Sequence, residues 1–251
     1  MRILITGLFA LLLCGGGFAA EAGKVNYETI APQQFLAAIR RPMAVSSWVQ
    51  LAGTIYHKRE SGAREEGDIY VGVLFTPGRI VGQVVIDNSQ GYTVGHSYKG
   101  SDAVVMPMKK GGYKTSLLSQ FGVKPEDLTL NFIYWDFIKE LEPESIRLNK
   151  CRVFILSDPN SVARAKVYFS CAALFPMRVE WLKPNSEKVH RKLEMNSFRK
   201  DKKSGVYLIT GITLYGGSDQ WRTLISFSKT AAGDRQDQPK DLFRKIEKHK
   251  K

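Results

Sequence analysis

The strongest constraint on the fold of this chain is a series of short segments in which apolar and polar residues alternate. In residues 69–75, for example, the odd positions are Ile69, Val71, Val73 and Phe75. Such alternation is typical of a strand with one face on a core. The segments are joined by turn-forming residues and predict a large antiparallel sheet that curls. The predicted strands are 46–57, 69–75, 79–87, 91–98, 137–147, 151–156, 165–171, 177–183, 189–198, 206–215 and 221–227.

Three helical stretches interrupt the strands. Residues 32–40 begin with a proline, which suits a first turn, and Pro42 ends them. Residues 113–121 have an apolar stripe and are followed by Gly122, a natural helix end. A third helix is predicted from residue 125 to residue 135, because two carboxylates, Glu126 and Asp127, favour its positive amino end.

These elements predict an α+β fold that is mainly antiparallel β, with a few short helices covering the concave face of the sheet. Such a sheet can keep unfilled apolar space inside, as in half-barrels that hold ligands. In the alternative, the same side chains form a solid core, as large apolar residues usually do. The predicted ligand-binding residues are Trp48, Val71, Val73, Phe75, Phe132, Trp135, Val153, Ile155, Phe169, Val179 and Trp181.

Residues 1–22 are predicted to be a secretory signal peptide. Arg2 precedes an apolar run over residues 3–13, and Ala20 and Ala22 form an A-x-A cleavage site. The run is shorter than the ~20 apolar residues of a transmembrane helix. We therefore expect export to the periplasm. In the alternative, Cys14 carries a lipid anchor, since residues 11–15 resemble a lipobox, although the residue before the cysteine is a leucine.

Residues 23–228 are predicted to form one domain, and residues 229–251 a basic, flexible tail. The tail contains few large apolar side chains, and a membrane-surface anchor is the alternative. The formal net charge of the chain is +13. This charge attracts anionic partners such as a membrane surface, whereas export argues against nucleic acid.

Cys151 and Cys171 are predicted to form a disulfide. They are the two cysteines that remain after cleavage, and export places them in an oxidising compartment. A hairpin of residues 151–156 and 165–171, centred near Ser161, would place them opposite each other.

The sequence offers little catalytic chemistry. Its four histidines are far apart and are predicted to be polar surface, and no metal-binding spacing or G-x-S-x-G motif occurs. Glu140, Glu142 and Glu144 alternate along one strand, which favours a solvated face over an acid–base pair. We therefore predict that the chain is not an enzyme and has no metal or cofactor. A hydrolase using Asp136 would rest only on scattered polar residues.

Several segments resemble the periplasmic lipoprotein carriers of the LolA family, in its divergent branch of outer-membrane lipoprotein-sorting proteins. They are FIYWD at 132–136, FIKELEPESI at 137–146, CRV at 151–153, FPMRVEW at 175–181 and WRT at 221–223. The resemblance covers roughly residues 32–227. It implies an unclosed β-barrel with a helical lid, whose apolar interior accepts acyl chains. The functional arginine of these carriers matches no single position here.

Two functions are consistent with these features. The first is a periplasmic carrier or chaperone that binds acyl chains of lipid or lipoprotein in an apolar cavity. The second is a non-catalytic envelope interaction or sensor module on the same fold, with a solid core and an envelope protein as its partner.

Overall fold

A computed structural model describes residues 25–40, 46–98, 103–109, 112–201, 207–217 and 220–246. The predicted signal peptide, its cleavage site and Cys14 lie outside the described residues. Within these ranges no helix is long and apolar enough to cross a membrane.

Twelve antiparallel strands form one sheet, and this confirms the predicted mainly antiparallel fold. The spatial order is β5-β4-β3-β2-β1-β12-β11-β10-β9-β8-β7-β6, so every neighbouring pair except β1 and β12 is consecutive in the chain. Strands β5 and β6 are the two free edges, and the sheet is a curled half-barrel that does not close. The strands are β1 Ser47–Arg59, β2 Arg64–Thr76, β3 Arg79–Ile86, β4 Gln90–Ser97, β5 Val104–Pro107, β6 Asp136–Ile146, β7 Asn149–Ser157, β8 Arg164–Ser170, β9 Phe175–Leu182, β10 Val189–Lys200, β11 Tyr207–Gly216 and β12 Trp221–Asp234.

Each predicted strand is present, with shifted ends in most cases, and strand β5 was missed. It spans only Val104–Pro107 and pairs with residues 92–95 of β4. Val104 and Met106 are both exposed. A segment this short, with no buried face, shows no alternation that could reveal it.

The predicted helices are only partly correct. Helix α1 spans Pro32–Arg40, as predicted. Helix α2 is a single turn, Leu117–Gln120, with the Ser116 hydroxyl accepting from the Ser119 amide at its start. The predicted third helix is instead two 3-10 helices, Pro125–Thr129 and Asn131–Tyr134. Leu130 separates them with a left-handed backbone, φ 55°.

The predicted disulfide is not formed, and the register of β7 and β8 explains why. Cys151 lies opposite Ser170, and the Cys171 amide donates to the Lys150 carbonyl, 3.0 Å away. The pairing is thus one residue away from the one that would oppose the two cysteines. Since directly opposed residues share a face of the sheet, the offset separates the side chains. Both thiols are free and buried, and burial raises the pKa of Cys151 to about 11.

The same register sorts the hairpin residues onto two faces. Phe154 lies opposite Val167 on the inner face, which carries the main core. Val153 lies opposite Tyr168 and belongs to a small second cluster on the outer face. The prediction that Val153 and Ile155 share an apolar surface with Phe169 is therefore wrong. A one-residue change in register moves every side chain to the opposite face.

Helix α1 covers the inner face of β7 and β8. Phe35 stacks on Phe154, with ring centroids 5.6 Å apart, and meets Phe169 edge to face at 6.4 Å. The Arg152 guanidinium lies 4.6 Å from the Phe35 ring and binds both Glu140 carboxylate oxygens, at 2.6 and 2.7 Å. Its charge is therefore buried but paired, as burial requires.

The carboxyl-terminal segment is packed rather than flexible as far as residue 246. Strand β12 continues to Asp234, and Leu242 is fully buried against the outer face. The Tyr70 hydroxyl donates to the Leu242 carbonyl at 2.7 Å. The Gln83 amide bonds both the amide and the carbonyl of Arg244, at 2.7 and 2.9 Å. The tail prediction for residues 229–251 is thus wrong for residues 229–246.

Candidate functional site

The candidate site lies where residues 125–134, here called the covering segment, cross the inner face of the sheet. Pro125 stands in the first turn, and the Asp127 carboxylate accepts a hydrogen bond from the Lys124 amide at 2.8 Å. A carboxylate in this position satisfies an amide that the helix itself leaves unpaired. Phe132 and Ile133 are buried in the main core, so the segment faces the sheet with apolar side chains.

A few polar contacts anchor the covering segment at both ends. The Arg40 guanidinium, at the end of α1, donates to the carbonyls of Ile133 and Trp135, at 2.8 and 2.6 Å. At the other end, Asp127 forms a buried ion pair with Arg191 of β10. These contacts tie the segment to α1 on one side and to the sheet on the other.

His96 of β4 and Tyr98, the residue after β4, contact the covering segment. The His96 ring is 5.4 Å from the Tyr134 ring, and the Tyr98 ring is 5.6 Å from it. Burial lowers the pKa of His96 to about 4 and raises the pKa of Tyr98 to about 12. Burial disfavours the charged form of each group, so His96 is neutral at pH 7. This part of the site is therefore held together by uncharged rings.

An apolar cavity of about 70 Å³ remains beside the covering segment. It lies between the covering segment and strands β1, β2, β9 and β11. Ligand pockets are typically ~300–1,000 Å³, so an acyl chain fits only if the covering segment moves away from the sheet. Five of the lining residues belong to that segment, so its movement would enlarge the space directly. The lining residues are Val49, Leu51, Val73, Phe75, Leu128, Thr129, Leu130, Ile133, Tyr134, Phe175, Tyr207, Leu208 and Ile209.

The structure brings most of the predicted ligand-binding residues to the inner face. Val73 and Phe75 line the cavity itself. The others lie in the main core around it, namely Val71, Phe132, Trp135, Phe169, Val179 and Trp181.

Trp48, Val153 and Ile155 are not on the inner face. Trp48 precedes the inward-facing Val49 in β1, so it points outward, and its indole donates to the Asp234 carbonyl at 3.0 Å. Val153 packs in the outer cluster, and Ile155 lies opposite Lys166. Val153 and Ile155 are predicted from alternation along one strand, which does not fix the face when the register is unknown, and Trp48 is predicted from its aromatic character alone.

Sequence reasoning missed most of the cavity wall. Val49 and Leu51 lie on either side of the polar Gln50 in β1, and this signal was available. Leu130 could not be identified from a helical stripe, because its left-handed backbone breaks the helix. Tyr207 stands at the start of β11 and is half exposed.

Groups that could do acid–base or metal chemistry are dispersed or paired. Glu140 binds Arg152, and Glu144 binds Lys166 at 2.9 Å. His57 and His96 are buried, contrary to the surface prediction, and His57 lies 2.7 Å from the Thr223 hydroxyl. Among the described residues, no three His, Cys, Asp or Glu side chains are arranged to hold a metal ion.

Comparison with known proteins gives a result at the level of the fold. No protein-family model matches the sequence, and no curated protein matches it. Among solved structures, a DUF1329 family protein from Desulfovibrio piger is similar, with a TM-score of 0.65 at 13% identity over 84% of this chain and 94% of that one.

Two further solved structures share the fold. An outer membrane lipoprotein-sorting protein domain from Vibrio parahaemolyticus matches with a TM-score of 0.61 at 14% identity, over 83% of this chain and 94% of that one. A LolA superfamily protein from Nitrosomonas europaea matches with a TM-score of 0.53 at 14% identity, over 86% of this chain and 99% of that one. The chain therefore has the fold of LolA-like lipoprotein-sorting proteins.

Proposed function

We propose that this protein is a non-catalytic periplasmic carrier or chaperone that binds an acyl chain of lipid or lipoprotein on the inner face of its sheet. The observation that carries the proposal is the apolar cavity beside the covering segment. The fold is that of proteins described as lipoprotein-sorting or LolA-like, and this supports the proposal.

Binding requires the covering segment to act as a lid. Moving the end that Arg40 holds breaks the two hydrogen bonds from Arg40 and exposes side chains such as Phe132, whereas the Asp127–Arg191 ion pair at the other end can remain. An acyl chain that replaces these side chains gains about 0.8 kcal/mol for each buried CH₂. Ten buried methylenes therefore contribute about 8 kcal/mol, enough to offset several lost contacts. The net charge of +13 would favour approach to an anionic membrane surface, where such chains are found.

The test is binding of a dansyl-labelled fatty acid to the mature protein, followed by fluorescence. Val73→Phe places extra volume in the cavity, and we expect it to weaken binding about tenfold or more, with an unchanged circular dichroism spectrum. Val73 is a better position than Val71, which does not line the cavity.

Val104→Phe is the matched control, because Val104 is more than half exposed on the edge strand β5. It should bind the fatty acid as the wild type does. Failure of the wild type to bind the probe, or equal binding by Val73→Phe, would contradict a carrier.

The small size of the cavity favours one alternative, an envelope interaction or sensor module. A cavity of about 70 Å³ leaves the inner face nearly solid, and a module that binds a protein partner needs no more space. Crosslinking in the native envelope would then capture a protein, and extraction would recover no lipid from the purified chain.

A further inference from the structure

A second, polar cleft also borders the covering segment, but different residues of the segment and its flanks line it. Its volume is about 240 Å³, larger than that of the cavity. The covering segment and its flanks contribute Lys124, Glu126, Asn131 and Trp135. The opposite wall comes from the ends of β8, β9 and β10 and from the turn before β8. The element that we propose to move thus contributes to the walls of both spaces.

Several charges in the cleft are already matched. Arg191 pairs with Asp127, and its guanidinium lies 4.4 Å from the Trp181 ring. Arg164 donates to the Ser186 carbonyl at 3.0 Å and pairs with Glu187 at 3.4 Å. Asp158 accepts from its own turn, from the Asn160 amide and the Ser161 hydroxyl. These pairs compensate most of the charge on the walls, although the buried Arg191 Nε donates to no acceptor among the described residues.

Three ionisable groups in the cleft are left for a ligand. Lys124 and His190 are exposed at its mouth. Burial lowers the pKa of His190, and the charges of Arg191 and Lys124 lower it further, so His190 is a neutral imidazole that lines the same cleft as the Lys124 ammonium group. Glu126 is half-buried, and in the described part of the chain no side chain donates a hydrogen bond to its carboxylate. Burial raises the pKa of Glu126, and the neighbouring Asp127 adds to the effect.

The arrangement favours a zwitterion over other ligand classes. A simple anion would meet the Glu126 carboxylate, and a simple cation would meet Lys124 and the Arg191 pair. A sugar stacks on an open aromatic face, whereas Trp135 and Trp181 of the cleft are both buried, and Trp181 is in contact with Arg191 and with Phe132, whose ring centroid is 6.0 Å away. A group with one negative and one positive charge matches Lys124 and Glu126 together.

The geometry points to a phosphoethanolamine headgroup as the occupant of this cleft, with its phosphate at Lys124 and His190 and its ammonium group at Glu126. This inference rests on the proposed function and makes it more specific. The acyl chain of the same lipid would lie on the inner face once the covering segment moves. Headgroup and chain would then contact different residues of the same lid and its flanks.

The experiment is competition for the bound dansyl fatty acid by lipids that share one acyl chain. The competitors are lysophosphatidylethanolamine, lysophosphatidylglycerol and palmitate. We expect lysophosphatidylethanolamine to displace the probe at about one tenth of the concentration that lysophosphatidylglycerol needs, because only the former has an ammonium group for Glu126.

Two variants separate the two ends of the headgroup. Glu126→Gln should remove the preference for lysophosphatidylethanolamine over lysophosphatidylglycerol and leave palmitate unchanged. Lys124→Gln should weaken both phospholipids severalfold and leave palmitate unchanged. Glu142→Gln and Lys188→Gln are the matched controls, since both residues are exposed and outside the cleft. Equal displacement by all lipids, or a preference that survives in Glu126→Gln, would overturn the inference and leave acyl binding standing.

A second measurement examines the cleft without any acyl chain. Glycerophosphoethanolamine, which is water-soluble, should shift the His190 ring proton signals in an NMR titration, and Lys124→Gln should reduce that shift. If the dansyl probe fails to bind but this shift is seen, the carrier proposal fails and the headgroup site remains. Absence of the shift counts against the headgroup site in either case.

Discussion

Helix α1 and the covering segment both lie on the inner face of the sheet, and they fill it differently. Under α1, Phe35, Phe154 and Phe169 are in mutual ring contact, and the buried Arg152 is paired with Glu140. Under the covering segment, a cavity remains and a histidine is buried neutral. Helix α1 is therefore closely packed, and the proposed movement is expected in the covering segment, where space remains.

The largest expected effect is the loss of unfolding free energy when a buried side chain in each region is replaced by alanine. Phe35→Ala should destabilise the protein by about 4 kcal/mol, because it leaves a hole in closely packed rings. Leu128→Ala, in the covering segment and beside an existing cavity, should cost about 2 kcal/mol. Urea unfolding measures both free energies. Equal losses would show that the two regions are packed alike.

A smaller effect is the loss of stability at acidic pH that the buried His96 causes. The pKa of His96 is about 4 in the folded protein and 6.5 when unperturbed. Between pH 6.5 and pH 4, His96 is therefore protonated in the unfolded chain and neutral in the folded protein. The stability that His96 contributes is present above pH 6.5 and is lost as the pH falls toward 4, by about 3 kcal/mol in total.

His96→Gln isolates this contribution, because glutamine does not titrate. Its unfolding free energy should fall less steeply than that of the wild type between pH 6.5 and 4. If the unfolding free energy changes with pH equally in both proteins, His96 does not cause the loss of stability in acid.

The smallest effect concerns the anchor of the covering segment. Arg40→Gln removes two hydrogen bonds to backbone carbonyls and should cost about 1–2 kcal/mol. Hydrogen exchange should then be faster at the Ile133 and Trp135 amides, whereas the Phe35 amide in α1 should exchange as before. Faster exchange at all three amides would mean that Arg40 stabilises the whole protein rather than the segment.

Local pattern was enough to predict most of the sheet and helix α1. Alternation in segments such as 69–75 reports a strand with one buried face, and Pro32 bounds α1 as the structure has it. Inner and outer faces were less predictable. Whether Val153 points inward depends on the register of β7 against β8, and Met177 lies on the outer face beside a register shift between Tyr168 and Phe169. Neither the register of two strands nor a shift in that register can be read from the sequence of one strand alone.

The covering segment was the least predictable part of the site. Leu128, Phe132 and Trp135 form a stripe that a helix would bury on one side, yet the chain turns at Leu130 into a conformation that leucine rarely adopts. Contacts with distant residues, such as Arg40 and Arg191, hold it there. Tertiary contacts of this kind outweigh a local helical preference.

The strand order also determines how this molecule can be assembled. Strands β1 to β5 form one meander and strands β6 to β12 another, and the pairing of β1 with β12 joins them, with Ser47 opposite Asp234. Each meander can form from near neighbours, whereas the seam must bring together the two ends of the chain, which is slow. Strand β12 follows all the other strands of the sheet in the sequence, so the edge of β1 stays open until β12 is in place. The unpaired backbone groups of that open edge can pair with a chaperone or with an unwanted partner.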